Sequence, residues 1–217
     1  GTPLSGTVIH VHALDQLRGQ DALVVHFLSL VAHRQSHATT PFTPVTHLHI
    51  KGNCLRASAG AQLVEELLRV APGLQELDGI RVADLLRADM TSLDLTGKET
   101  GPGGGGMIAG LLRSGQCALT SLLLRGNRLE DEGCLEVVRA VARMSSLTAL
   151  DLSNNALGPT GGSAVSEVLS TLDRLQTLDL GGNALGDEGC LAVAQNLPGV
   201  LQALSLKSNG LSVRCYR

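Results

Sequence analysis

Six stretches of this 217-residue chain follow one pattern, L-x-x-L-x-L-x-x-N-x-L, and that recurrence limits the fold more than any other feature. Four copies are nearly complete: "LTSLLLRGNRL" from Leu119, "LTALDLSNNAL" from Leu147, "LQTLDLGGNAL" from Leu175 and "LQALSLKSNGL" from Leu201. Their starts lie 28, 28 and 26 residues apart. Two looser copies precede them, "VTHLHIKGNCL" from Val45 and "MTSLDLTGKET" from Met90. In the latter, Lys98 takes the Asn place and Thr100 the place of the last Leu. One such unit cannot bury its own apolar face; stacked units can.

Each column has a physical reason. Leucines two residues apart mark a short strand with one buried face. The Asn follows where the chain must bend. Its amide both donates and accepts, so it can satisfy backbone groups that a bend leaves unpaired. Asn53, Asn127, Asn155, Asn183 and Asn209 are therefore expected to stack as a structural ladder. Between strands the period lengthens to that of a helix, most clearly over 131–144 and 187–197. Leu63, Ile108, Val137, Val165 and Val193 share a column, and Leu67, Leu112, Val141, Leu169 and Leu197 lie four residues on, on the same helical face. Asp131, Glu132, Asp187 and Glu188 fall at helix starts, where carboxylates favour the macrodipole. A structural role is the better reading for them than catalysis or metal binding.

Strand, turn, helix and turn with a period near 28 resembles the ribonuclease-inhibitor type of leucine-rich repeat, over at least Val45 to Leu211. The resemblance implies an α/β fold: a right-handed solenoid, or horseshoe, with a parallel concave sheet and outer helices. Residues 1–44 read as a divergent N-terminal cap or first repeat. Residues 45–217 read as repeats, with an irregular truncated unit at 74–89. The resemblance also implies that the concave face binds protein partners. Its candidate residues are His47, His49, Lys51, Asp94, Leu123, Arg125, Asp151, Asp179 and Lys207. Asp94, Asp151 and Asp179 share one column as a mild acidic stripe, which Leu123 interrupts. The helical side, the irregular unit and the terminal edges are the other surfaces open to binding. Only "LSVRCYR" follows the last Asn column position, Gly210 apart, so the final strand is expected to need more chain, a partner, or closure by the tail around Val213 to Tyr216.

Other classes of function find little support. The formal charge of -3 and pI near 6.2 do not suggest nucleic acid, which calls for a basic patch. Phe27, Phe42 and Tyr216 are the only aromatics, too few for a stacking platform. The apolar run from Ala22 to Ala32 is short for a membrane span, and His26 interrupts it. Five cysteines without a C-x-x-C suggest free thiols and an intracellular, most simply cytoplasmic, setting. A start at Gly1 rather than Met leaves an upstream segment open. All seven histidines lie between His10 and His49, and His10, His47 and His49 could meet on neighbouring strands; solvent-facing and capping roles are the simpler reading, with no metal.

Gly101, Gly103 and Gly106 match the G-x-G-x-x-G spacing of dinucleotide sites. No acid follows the next strand, however, and other units carry small residues in the same columns: Gly104 aligns with Ala59, Gly133, Gly161 and Gly189. The run reads as a packing position without a cofactor, and as a weak spot suited to flexibility or contact. There is no H-E-x-x-H, Walker loop or nucleophile–base pair. The expected function is a non-catalytic protein–protein interaction scaffold with no small-molecule substrate, a subunit of a larger intracellular assembly with partners of unknown identity. The alternatives are a regulator of a small GTPase, as in Ran GTPase-activating proteins, or the ligand-sensing repeats of a larger signalling or innate-immune receptor.

Overall fold

The computed structural model describes residues 7–10 (by backbone alone), 45–52, 55–86, 89–115 and 118–212. Strands and helices follow one another along it, alternating regularly from residue 82 onward. The strands are β1 (Thr7–His10), β2 (Val45–His49), β3 (Glu76–Leu77), β4 (Ile80–Arg81), β5 (Ser92–Asp94), β6 (Ser121–Leu123), β7 (Ala149–Asp151), β8 (Thr177–Asp179) and β9 (Ala203–Ser205). The helices are α1 (Ala57–Val70), α2 (Val82–Leu86), α3 (Gly101–Ser114), α4 (Glu130–Val141), α5 (Pro159–Leu169) and α6 (Gly186–Gln195). Parallel strands backed by helices form the α/β solenoid, with the core between the two layers. Strands β5 to β9 pair in sequence order, placing Leu93, Leu122, Leu150, Leu178 and Leu204 side by side. The first four of these are buried, and Leu204, on the last strand, is half-buried. Leu191, Val200 and Leu211 are exposed near this end. Residues 213–217 lie outside the described residues.

The single parallel sheet expected of such repeats is in fact two. Strands β1, β2 and β3 are parallel, but β4 returns antiparallel to β3 and ends that sheet; β5 begins the second. The cause is local. Asp78 and Gly79 both have positive φ (50° and 80°), as a two-residue type I′ hairpin requires. Leu77 and Ile80 face each other across the hairpin, both buried. Thus β4 takes the edge on which β5 would otherwise pair.

The asparagines tie the regular units together. Asn127, Asn155, Asn183 and Asn209 are buried. Each amide nitrogen donates to a Leu carbonyl in its own unit or the one before. Asn127 reaches Leu124 and Leu95, both at 2.8 Å, and Asn183 reaches Leu180 at 2.8 Å and Leu152 at 3.1 Å. Asn155 reaches Leu124 at 2.9 Å, and Asn209 reaches Leu180 and Leu206, both at 2.9 Å. Each carboxamide oxygen faces back one unit. That of Asn155 accepts the Asn127 N–H at 2.9 Å, and that of Asn183 accepts the Asn155 N–H at 2.8 Å. That of Asn209 accepts the Leu185 N–H at 3.4 Å. The ladder stops at Lys98, whose N–H turns to the Leu95 carbonyl at 3.4 Å, leaving the buried Asn127 Oδ1 without a partner. Asn53 lies outside the described residues.

The glycine run has a different explanation from the one its spacing suggests. Every residue of α3 from Gly103 to Leu112 is buried. Helices α1 and α4 both pack on α3 and also touch each other. Glu132 of α4 accepts the Ala57 N–H at the start of α1 at 3.0 Å. A Cβ on Gly106 would lie 1.8 Å from the Ala57 carbonyl oxygen, and one on Gly60 would lie 2.1 Å from that of Gly103. The run is therefore a recessed helix lying under its neighbours, a packing position as its columns suggest, and its buried residues Gly103 to Leu112 are not a surface for contact. Each interior glycine costs about 0.5–1 kcal/mol of helix stability, offset here by the close approach and the burial of Met107, Ile108, Leu111 and Leu112.

Three stability measurements follow by denaturant or thermal unfolding. Gly106→Ala should destabilise by about 2 kcal/mol or more, because the new methyl meets backbone. Gly199→Ala, with no atom within 4 Å, should stay within about 0.5 kcal/mol. Asn155→Ala, which orphans buried groups in two units, should cost about 3 kcal/mol. Equal effects of the two glycine changes would refute the recessed-helix explanation.

Candidate functional site

The sheet face away from the helices carries the residues that flank the buried leucines. On β6 to β9 they form a shallow trough of about 340 Å³, lined by Leu123, Ala149, Asp151, Thr177, Asp179, Ala203 and Ser205. The trough exists because one column is small, Ala149, Thr177 and Ala203, while the next is longer. Pairing sets Asp94 beside Leu123, Leu123 beside Asp151, Asp151 beside Asp179, and Asp179 beside Ser205. Leu123, Asp151 and Asp179 are half-buried; Asp94, Arg125 and Lys207 are exposed.

The acidic stripe has a structural task that the column pattern alone does not reveal. Asp94 Oδ1 accepts the Thr96 N–H at 2.9 Å, Asp151 Oδ1 that of Ser153 at 2.8 Å, and Asp179 Oδ1 that of Gly181 at 2.8 Å. Each carboxylate thereby holds the turn two residues on, a known use of Asp where a strand ends. The Thr96 hydroxyl, then its N–H, holds the Asp94 carboxyl below its ordinary range. One oxygen of each carboxylate is engaged in this way. No ion pair among the described residues reaches Asp151 or Asp179.

The nine candidate residues do not share one sheet. His47 and His49 sit half-buried on β2, with exposed Lys51 just beyond it, across the break from the trough. Lys51 Nζ donates to the Lys98 carbonyl at 2.8 Å. His47 Nδ1 lies 2.9 Å from the Thr46 hydroxyl oxygen. Backbone pairing sets His10 opposite His49, but the His10 side chain lies outside the description. Among the described residues, no three His, Cys, Asp or Glu side chains gather as a metal site.

The helix-start acids reach between units. Asp131 Oδ1 accepts the Gly158 and Gly161 N–H groups at 2.7 and 3.0 Å, capping α5 of the next unit. Asp187 Oδ1 accepts the Ser212 N–H at 2.7 Å. Cys134 and Cys190 are buried free thiols. Burial, with the nearby Asp131 charge, pushes the Cys134 thiol up to about 12, far from a nucleophile's range.

A second cavity, about 320 Å³, opens where the two sheets part, between Ile50, Asp78, Thr100 and the start of α3. Asp78 Oδ1 accepts the Ile50 and Lys51 N–H groups at 2.7 and 3.0 Å, while its Oδ2 and the Thr100 hydroxyl are buried without partners. The Asp-Gly pair was the available signal for this junction; its place within the repeat columns obscured it. Burial raises the Asp78 carboxyl, outweighing its two N–H bonds and the charges of His49 and Lys51. A carboxyl raised by folding binds its proton more tightly in the folded state. It thus favours folding at low pH and loses that contribution as pH rises through its folded pKa. Asp78→Asn keeps an acceptor for both N–H groups. It should be more stable than the parent at pH 7, with the gap closing as pH falls through the Asp78 pKa; unfolding curves across that range check this.

Residues 116–138, 143–166 and 175–194 match the family model described as Leucine Rich repeat. Among solved structures, the leucine-rich repeat-containing protein LegL7 from Legionella pneumophila is 19% identical with a TM-score of 0.32, over 95% of this chain and 67% of that one. An internalin (inlF) from Listeria monocytogenes is 15% identical with a TM-score of 0.28, over 77% of this chain and 63% of that one. The chain thus spans less than two thirds of the internalin. No curated protein matches the chain. No helix among the described residues is long and apolar enough to cross a membrane. Over these three segments the chain carries leucine-rich repeats, set within stacked strand–helix units of an α/β solenoid.

Proposed function

We propose that the chain is a non-catalytic protein-interaction module whose concave trough on β6 to β9 holds a partner. The observation that carries this reading is the trough itself: half-buried Leu123, Asp151 and Asp179 held on short parallel strands and open to solvent. Asp94, Arg125 and Lys207 form its surroundings, and His47, His49 and Lys51 offer a separate surface across the break. The 28-residue spacing and the full α-helix in each regular unit support repeats of the ribonuclease-inhibitor type. The buried free thiols are in keeping with an intracellular scaffold or complex subunit.

Affinity capture from the native source, followed by mass spectrometry, tests the reading. The bait is compared with a Thr177→Arg version, which fills the trough from an exposed position. Partners retained by the parent and lost by Thr177→Arg, with unchanged melting, are the expected outcome. Partners held equally by both would move binding away from this face. A partnerless monomer by native size would refute the interaction module.

A further inference from the structure

We propose that the trough recognises an arginine flanked by an aliphatic residue, on a protein segment lying across the strands. This rests on the interaction-module reading and specifies the partner's chemistry. Asp151 and Asp179 are register partners on adjacent parallel strands, which sets their backbones about 4.8 Å apart. Like charges so placed repel, and no ion pair among the described residues relieves them. Each carboxylate already uses Oδ1 for its own turn, so the pair is held in place and Oδ2 of each is left for an incoming donor. Ser153, whose N–H Asp151 accepts, is 3% exposed, and its hydroxyl has no partner.

Two carboxylates in a row call for a cation with several donors in one plane. A guanidinium supplies five N–H groups in a rigid fork and can bond both carboxylates at once, whereas an ammonium is a compact point charge. Leu123, the register neighbour of Asp151 on the other side, gives an apolar wall for the adjoining aliphatic side chain. The small floor at Ala149, Thr177 and Ala203 leaves room for the segment's backbone.

The test is a titration of the ¹⁵N-labelled chain with three peptides: acetyl-Leu-Arg-Leu-amide, its Lys analogue and its Glu analogue. The amides of Ser153 and Gly181, which donate to the two aspartates, report binding. The Arg peptide should give saturable shifts at both. The Lys peptide should bind several-fold more weakly, and the Glu peptide should leave both amides in place. The Asp151→Asn, Asp179→Asn double variant keeps both turn acceptors, and should weaken Arg-peptide binding about tenfold, the sum of two modest ion pairs. Absence of saturable shifts, equal binding of the three peptides, or undiminished binding to the double variant would overturn the proposal. If captured partners still depended on the trough, the interaction-module reading would stand without it.

Discussion

A buried asparagine amide that must be satisfied from two units at once is the constraint on which the regular array depends. Its nitrogen needs Leu carbonyls, and its oxygen needs a backbone N–H one unit back. These bonds demand that successive bends arrive in the same place. That fixes both the register of β5 to β9 and the spacing near 28 residues. An unpaired buried amide is expensive, so the ladder resists slippage by one residue as firmly as the leucine alternation does. The aspartate turns add a second set of bonds at the strand ends, and Asp131 adds a third at a helix start.

Where the ladder fails, a different contact provides continuity. At Lys98 the Asn is missing, Asn127 Oδ1 and the Thr100 hydroxyl are left unpaired, and the sheet divides at the hairpin of Asp78 and Gly79. The helical layer crosses the same junction without a gap, because glycines let α3 sink between α1 and α4. The trough lies beyond this junction, within the part of the sheet whose strands keep one register. Its side chains therefore stand on rigid elements rather than on loops, which suits recognition with little ordering cost on binding.

What could be read in the sequence was what is local and periodic. The leucine columns and the outer helices followed from spacing, since strand and helix write different periods into the chain. The column of Asp94, Asp151 and Asp179 was visible, but its turn bonds depend on backbone geometry beyond the strand. The break at Asp78 and Gly79 had a hairpin signal within two residues, yet the surrounding Leu74 and Leu77 fit a repeat start. The recessed glycine helix was the least legible feature. It depends on Glu132 meeting Ala57, 75 residues away in sequence, and on a close approach that no one-dimensional pattern records. For the same reason, column position grouped His47 and His49 with Asp151, although they stand on a different sheet.

Amide hydrogen exchange at the asparagine positions tests the central claim most directly. If the ladder joins the units and ends at Lys98, the N–H groups of Asn127 and Asn155, which bond to the next carboxamide oxygen, should exchange only with global unfolding. The Lys98 N–H, with only its long bond to Leu95, should exchange far faster. Equal protection at Lys98, Asn127 and Asn155 would contradict the account.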